Sequence, residues 1–211
     1  MKTCNNPLLT LRVGNEQTLG GARMMHEGSH CYPKRAKREE TTLAEEMIDI
    51  YDENMEPTGL TVPRKGAFMQ EGQFMLYVLA IIEDMHGHIL ITKRAMDKKW
   101  AAGQWEVQGG GVDSGETPLQ GAIREVFEEV GLAVTQDQAQ FCYRYTNVDL
   151  PHGDNYINSI YRFKLAFTLD DVSLAAREAT NCKLATWEEI TALKEQGLFL
   201  HYERIQKALG R

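Results

Sequence analysis

Gly110-Gly111-Val112-Asp113-Ser114-Gly115-Glu116-Thr117-Pro118-Leu119-Gln120-Gly121-Ala122-Ile123-Arg124-Glu125-Val126-Phe127-Glu128-Glu129-Val130-Gly131-Leu132 is the stretch around which the rest of the chain is read. A helix is marked at both ends. Thr117 suits the N-cap, Pro118 the first turn, and Gln120 completes a capping box three residues on. Gly131 follows the last apolar residue, where a left-handed stop is expected.

At about 100° per residue the sides of this helix separate. Leu119, Ile123, Val126, Phe127 and Val130 form one stripe, expected to face the core. Glu125, Glu128 and Glu129 fall opposite, at i, i+3 and i+4, where like charges repel by a few tenths of a kcal/mol per pair in water. A basic residue one turn away exists only for Glu128, through Arg124. A divalent cation would supply the missing charge. Hard oxygen donors and an incomplete protein cage suit Mg²⁺, which also bridges phosphates. The alternative is a solvated acidic face, the usual meaning of three Glu taken alone. Against it stand the Gly-rich turn that feeds the helix and Glu116 at its mouth, with Arg124 placed to reach it.

Gly110, Glu116, Arg124, Glu125, Val126, Glu128, Glu129, Gly131 and Leu132 together fill every fixed position of the Nudix box, and the chain resembles that superfamily. The resemblance implies an α/β/α sandwich around a central mixed β-sheet. It also implies Mg²⁺-dependent hydrolysis of a diphosphate linkage in a nucleoside diphosphate joined to another moiety, with Mn²⁺ as a substitute. Metal ligands are then expected at Glu125, Glu128, Glu129 and the Gly110 carbonyl. The catalytic base is expected at Glu128 or Glu129, with Glu178 as a loop candidate. Arg124 and Glu116 are expected to orient the carboxylates.

Composition suits a soluble globular protein. The 211 residues, 43% hydrophobic and 25% charged, suit one globular domain with an appendage. A net charge of −7 argues against nucleic acid as an obligatory partner. No apolar run approaches the roughly 20 residues of a membrane span. The first 20 residues lack the apolar core of a signal peptide, so a cytoplasmic location is expected. Cys4, Cys31, Cys142 and Cys182 show no metal-ligand spacing and read as unpaired thiols in a reducing compartment.

Residues 1–45 read as an extension, poor in apolar periodicity, in which Lys34-Arg35-Ala36-Lys37-Arg38 meets Glu39-Glu40. A targeting segment or a lid over a partner subunit is the other reading. The domain is expected over 46–211. Strands are expected at Met47–Tyr51, Gly59–Pro63, Phe74–Ile82, Ile89–Lys93, Gln104–Gln108, Phe141–Val148, Ile157–Phe167 and Leu184–Thr186. Thr186 and Glu189 cap a helix running to about Gln196, and a last helix covers about His201 to Leu209. Single strands, hairpins and few helices make this an α/β fold.

From Ile48 to Glu129 the chain is similar to the Nudix branch typified by isopentenyl-diphosphate isomerase. The similarity rests on the early hairpin and on Ile91-Thr92-Lys93-Arg94-Ala95-Met96-Asp97-Lys98-Lys99-Trp100-Ala101-Ala102-Gly103-Gln104-Trp105. It implies that Arg94 and Lys98, with Lys93, hold the distal phosphate. Arg is a fork for phosphate oxygens and Lys a mobile point charge, though solvated basic residues after a strand are equally ordinary. Trp100 and Trp105 suit packing at the core or rim more than substrate stacking. The isomerase's catalytic Cys and metal-binding His fall at Gly109 and Gly111 here. Its acidic pair falls near Asn155 to Asn158, where only Asp154 is acidic. Isomerase-like activity and a non-catalytic nucleotide-binding module therefore stand as alternatives to the hydrolase. The partner is a small-molecule diphosphate. Homodimers are frequent in families that resemble this chain. Base selectivity is expected around Tyr143 to Tyr156.

Overall fold

The computed structural model describes residues 45–211, so the expected N-terminal extension lies, but for its last residue, outside the described residues. The organising strand is β3 (Met75–Glu83), apolar along its length and buried at eight of nine positions. A strand hydrophobic on both faces must be covered on both faces, and this one is. Its even residues Leu76, Val78, Ala80 and Ile82 meet Ala122, Val126 and Val130 of helix α1 (Pro118–Val130). Its odd residues Leu79 and Ile81 meet Ile190 of α2 (Trp187–Glu195) and Ile205 of α3 (Tyr202–Ala208). The result is the α/β/α sandwich expected from the sequence.

The sheet between the helices has seven strands and is mixed. The remaining members are β4 (Ile89–Arg94), β5 (Trp105–Glu106), β6 (Gln108–Gly111), β7 (Ala139–Asn147), β8 (Tyr156–Lys164) and β9 (Ala179–Ala185). The path runs β5-β4-β3-β8-β7, with β6 beside β3 and β9 beside β4. β3 and β8 are parallel in continuous register from Met75↔Tyr156 to Glu83↔Lys164. On its other edge β3 is shared. Only Glu83 pairs with β4, while Tyr77 to Ala80 pair antiparallel with β6. That sharing brings the Gly-rich strand β6 under the start of α1. A separate hairpin, β1 (Met47–Tyr51) with β2 (Pro57–Pro63), packs Ile48 and Ile50 against Met69 and Met75.

Helix α1 is closed as its residues dictate. Thr117 is extended at φ −81°, ψ 157°, its hydroxyl accepts from the Gln120 N–H, and the Gln120 side chain accepts from the Thr117 N–H at 2.8 Å. Gly131 stands at φ 72° and donates to the Phe127 carbonyl at 2.9 Å.

Four sequence expectations need correction. Phe127 does not join the core stripe but is 61% exposed, since the buried seam runs through Ala122, Val126 and Val130 and leaves position 127 at its rim. Glu125, expected on the open face, is 8% exposed, because it sits over a glycine strand that offers no side chain. The strand expected at Leu184 extends back to Ala179, its polar residues hiding a ladder with β4. Finally, Cys142 is free, but Cys182, buried in the core, is disulfide-bonded. Cys4 and Cys31 lie outside the described residues.

Candidate active site

The glycines of β6 make the site possible by what they lack. Adding a Cβ to Gly110 would drive it into the carboxylate of Glu125, and adding one to Gly109 would drive it into the Val78 carbonyl. With no side chains there, α1 lies close and its acidic face meets backbone. The Gly109 N–H donates to Glu129 Oε2 at 3.3 Å. We expect Gly110→Ala to displace Glu125 and cost about 1–3 kcal/mol by overpacking. Urea denaturation measures the loss, and a wild-type midpoint with full activity would show that Glu125 needs no such contact.

One residue holds the acidic face together. Arg124 Nε donates to Glu116 Oε1 at 3.0 Å, Nη1 to Glu125 Oε1 at 2.9 Å and to Glu128 Oε2 at 3.3 Å, and Nη2 to the Gly111 carbonyl at 2.8 Å. Burial still pushes the Glu125 carboxyl above its ordinary range, although Arg124 and Arg64 pull it down. Glu128 is directed outward, with its side chain 54% exposed and paired to Arg124.

Beside this face opens a cavity of about 450 Å³, within the range of small-molecule sites. Four carboxylates line it: Glu106 of β5, Glu129 of α1, Glu178, just before β9, and Asp154, just before β8. Two of them are paired to cations that also line the cavity. Arg94 Nη1 forks both oxygens of Glu106 at 2.8 and 3.0 Å, and Lys98 Nζ pairs with Glu178. Glu129 makes no ion pair with a described residue. Burial first, then the charges of Glu125, Glu106 and Glu178, push its carboxyl well above the ordinary range. Glu106 is also raised, because burial outweighs Arg94.

Of the residues singled out from sequence, the structure gathers Glu129, Gly110, Arg94, Lys98 and Glu178 in the cavity. Glu125, Glu116 and Arg124 lie outside the lining in one network, and Glu128, exposed and paired to Arg124, is not part of the lining either. Lys93 is not part of the lining, as strand alternation places it on the other face from Arg94. Trp100 lines the mouth, 58% exposed, with the Arg94 guanidinium 5.3 Å from its ring and the ring of His201 at 6.1 Å. Burial and the neighbouring Arg94 and Arg204 lower the His201 pKa.

Sequence reasoning missed three lining groups. Glu106 is a lone acid on a two-residue strand. Arg64 follows β2 with no motif around it. It lies against Gly111 and over the Tyr77 ring at 5.5 Å, and its Nη1 pairs with Glu46 at 3.1 Å. Asn158 looked like a departure from an acidic pair and proves to be a cavity wall.

A metal fits the donor set. The groups are hard carboxylate oxygens, they exceed the cations in reach, and the Glu125 carboxylate packs in the space left by the missing side chain of Gly110. Among the described residues no three His, Cys, Asp or Glu side chains close into a cluster able to hold an ion by themselves.

The fold is an α/β/α sandwich whose acidic helix borders a cavity lined by carboxylates and cations together. The family comparison is more specific: the NUDIX domain model matches residues 73–206, and the chain belongs to the Nudix family. An uncharacterized Nudix hydrolase, lmo0368 of Listeria monocytogenes, is 31% identical over 157 residues, covering 73% of this chain and 88% of that protein. An 8-oxo-dGTP diphosphatase of Proteus vulgaris is 41% identical over 56 residues, covering 26% and 49%. Among solved structures, DR0079 of Deinococcus radiodurans superposes with a TM-score of 0.58 at 21% identity, covering 72% of this chain and 91% of that one. That likeness supports the fold alone. Nudix hydrolases generally use divalent metals such as Mg²⁺.

Proposed function

We propose that this chain hydrolyses a diphosphate linkage in a nucleoside diphosphate joined to a second moiety, with Mg²⁺, or Mn²⁺ in its place. The observation that carries the reading is Glu129. A partly buried carboxylate, crowded by Glu125, Glu106 and Glu178, it has no ion pair among the described residues. Such an arrangement is costly unless a ligand completes it. A divalent ion bound there by Glu125, Glu129 and the Gly110 carbonyl would neutralise charge building on the phosphate oxygens and lower the pKa of nearby water. Mg²⁺ needs only one or two carboxylates, with phosphate and water filling the rest. Glu128, exposed and paired to Arg124, is kept as an outer ligand.

The chain's own groups then exchange partners. Arg94 leaves Glu106 and Lys98 leaves Glu178 to take phosphate oxygens, which freed carboxylates no longer contest. Glu129 or Glu178 accepts the proton of the attacking water as its oxygen bonds to phosphorus and the bridging P–O bond breaks. Arg124 and Glu116 keep the acids in place. The diphosphatase name of the Proteus vulgaris relative is in line with this chemistry.

The isomerase-like alternative is disfavoured by space. Its Cys and His would stand at Gly109 and Gly111, where any Cβ meets the Val78 carbonyl or the Arg64 guanidinium. The test is phosphate release, through an added pyrophosphatase or phosphatase, from nucleotide sugars, dinucleoside polyphosphates, nucleoside di- and triphosphates, CoA and isoprenoid diphosphates. Each is assayed with Mg²⁺, Mn²⁺ or EDTA. Turnover of at least one compound that EDTA abolishes is expected. Silence across the panel from folded, Mg²⁺-binding protein would favour a nucleotide-binding module instead.

A further inference from the structure

The cavity extends past its carboxylate wall to a second, aromatic end. There Asn158 of β8 stands directly opposite Tyr77 on β3 and Tyr145 on β7, so one sheet face carries all three side chains. Asn158 is 5% exposed, lines the cavity, and its Oδ1 has no hydrogen-bond partner. The Tyr145 hydroxyl is likewise buried without a hydrogen bond, the Tyr156 hydroxyl beside it falling outside that geometry. Buried polar atoms left unpaired cost about 1–3 kcal/mol each. Nine in ten find partners in folded proteins, so a pair of them in one cavity calls for a ligand.

The walls say what kind. Tyr156 meets Tyr77 edge-on at 5.3 Å and Tyr145 at 6.1 Å, giving flat apolar surface on both sides of the amide. Trp100 and His201 supply further aromatic rings in the same cavity. A carboxamide presents a donor and an acceptor side by side, the complement of the adjacent donor and acceptor on a base edge. We infer that Asn158, between Tyr77 and Tyr145, reads the edge of the substrate's nucleobase, with Tyr145 as its second hydrogen-bonding group. Resting on the reading that this cavity takes a nucleoside diphosphate derivative, the inference assigns the aromatic end to the base and the carboxylate end to the diphosphate. Arg64, over Tyr77, lies where the two ends meet.

The experiment is calorimetric titration of AMP, GMP, CMP, UMP and ribose 5-phosphate into wild-type protein and Asn158→Leu, in Mg²⁺ buffer. Wild type is expected to bind at least one nucleotide tenfold or more tightly than ribose 5-phosphate. Asn158→Leu should lose about tenfold for that nucleotide and nothing for ribose 5-phosphate. The thermal midpoint of the variant should equal or exceed that of wild type, since an apolar isostere removes an unpaired amide. Three results would overturn the inference: nucleotides that bind no better than ribose 5-phosphate, a variant with unchanged nucleotide affinity, or a variant with a lowered midpoint, which would make Asn158 structural. Binding is read without turnover. Failure here therefore leaves metal-dependent hydrolysis standing, and a silent hydrolysis panel leaves the binding result standing.

Discussion

Arg124→Met is expected to lower the stability of this protein by about 3–5 kcal/mol at neutral pH, the cost of leaving a buried carboxylate without its partner. Arg124 side-chain exposure is 22% and that of Glu125 is 11%, so solvent screens the pair little. Its guanidinium spans Glu116, Glu125, Glu128 and the Gly111 carbonyl, and among the described residues no other cation bonds to these four. The sign of the pH effect follows. Burial already raises the Glu125 carboxyl, and loss of Arg124 raises it further. A carboxyl whose folded pKa lies above its unfolded value contributes stability in acid that is lost as pH rises through the folded pKa. The variant should therefore lie nearest wild type below the ordinary carboxylate range and fall away toward pH 8. Arg124→Lys should recover only part of the loss, because an ammonium cannot bridge four oxygens in a fork. Urea unfolding at pH 4 and pH 8 decides it. A loss under about 1 kcal/mol at pH 8 would mean that the network is solvated rather than structural.

How far the sequence could be read depends on how local each signal is. The ends of α1 were legible because capping is a contract among residues three or four apart, Thr117 with Gln120, and Gly131 with Phe127. β3 was legible because nine nearly continuous apolar residues can only lie in the middle of a sandwich. The carboxylate spacing on α1 was legible because one helix sets it. What lay beyond reach was everything assembled across elements. The parallel pairing of β3 with β8 joins residues about eighty positions apart. The same distance separates Lys98 from Glu178. Helical geometry placed Glu125 and Phe127 on opposite sides and chose the wrong one to bury. A wheel weighs side-chain polarity, whereas Gly110 made room for the acid and nothing on the sheet waited for the ring. Arg64, Glu106 and Asn158 carried no motif, and each acquired meaning only when the fold brought it to the cavity.

Glu129→Gln should separate stability from function. Under the proposed chemistry the substitution removes a carboxylate that serves as ligand, proton acceptor or both, and general-base catalysis alone contributes about 10²–10⁴-fold. A loss of at least about 10²-fold in kcat/KM is therefore expected with any substrate found on the panel. Stability should move the other way. Burial and three neighbouring acids hold the Glu129 carboxyl well above its ordinary range, with only the Gly109 N–H opposing them. In the metal-free protein this group favours the folded state below the ordinary carboxylate pKa, and that advantage disappears as pH rises through the raised folded value. A neutral amide of the same shape carries no such liability. In EDTA, Glu129→Gln should thus melt at a higher temperature than wild type at pH 8 and at nearly the same temperature at pH 4. Adding Mg²⁺ should raise the wild-type midpoint, because a ligand that binds only the folded state stabilises it, and should raise that of the variant less. Thermal scans at the two pH values, with and without Mg²⁺, read all three effects. If the variant turns over substrate at the wild-type rate, Glu129 is not the reacting carboxylate, and Glu178, paired with Lys98 across the cavity, takes its place as the group to replace next.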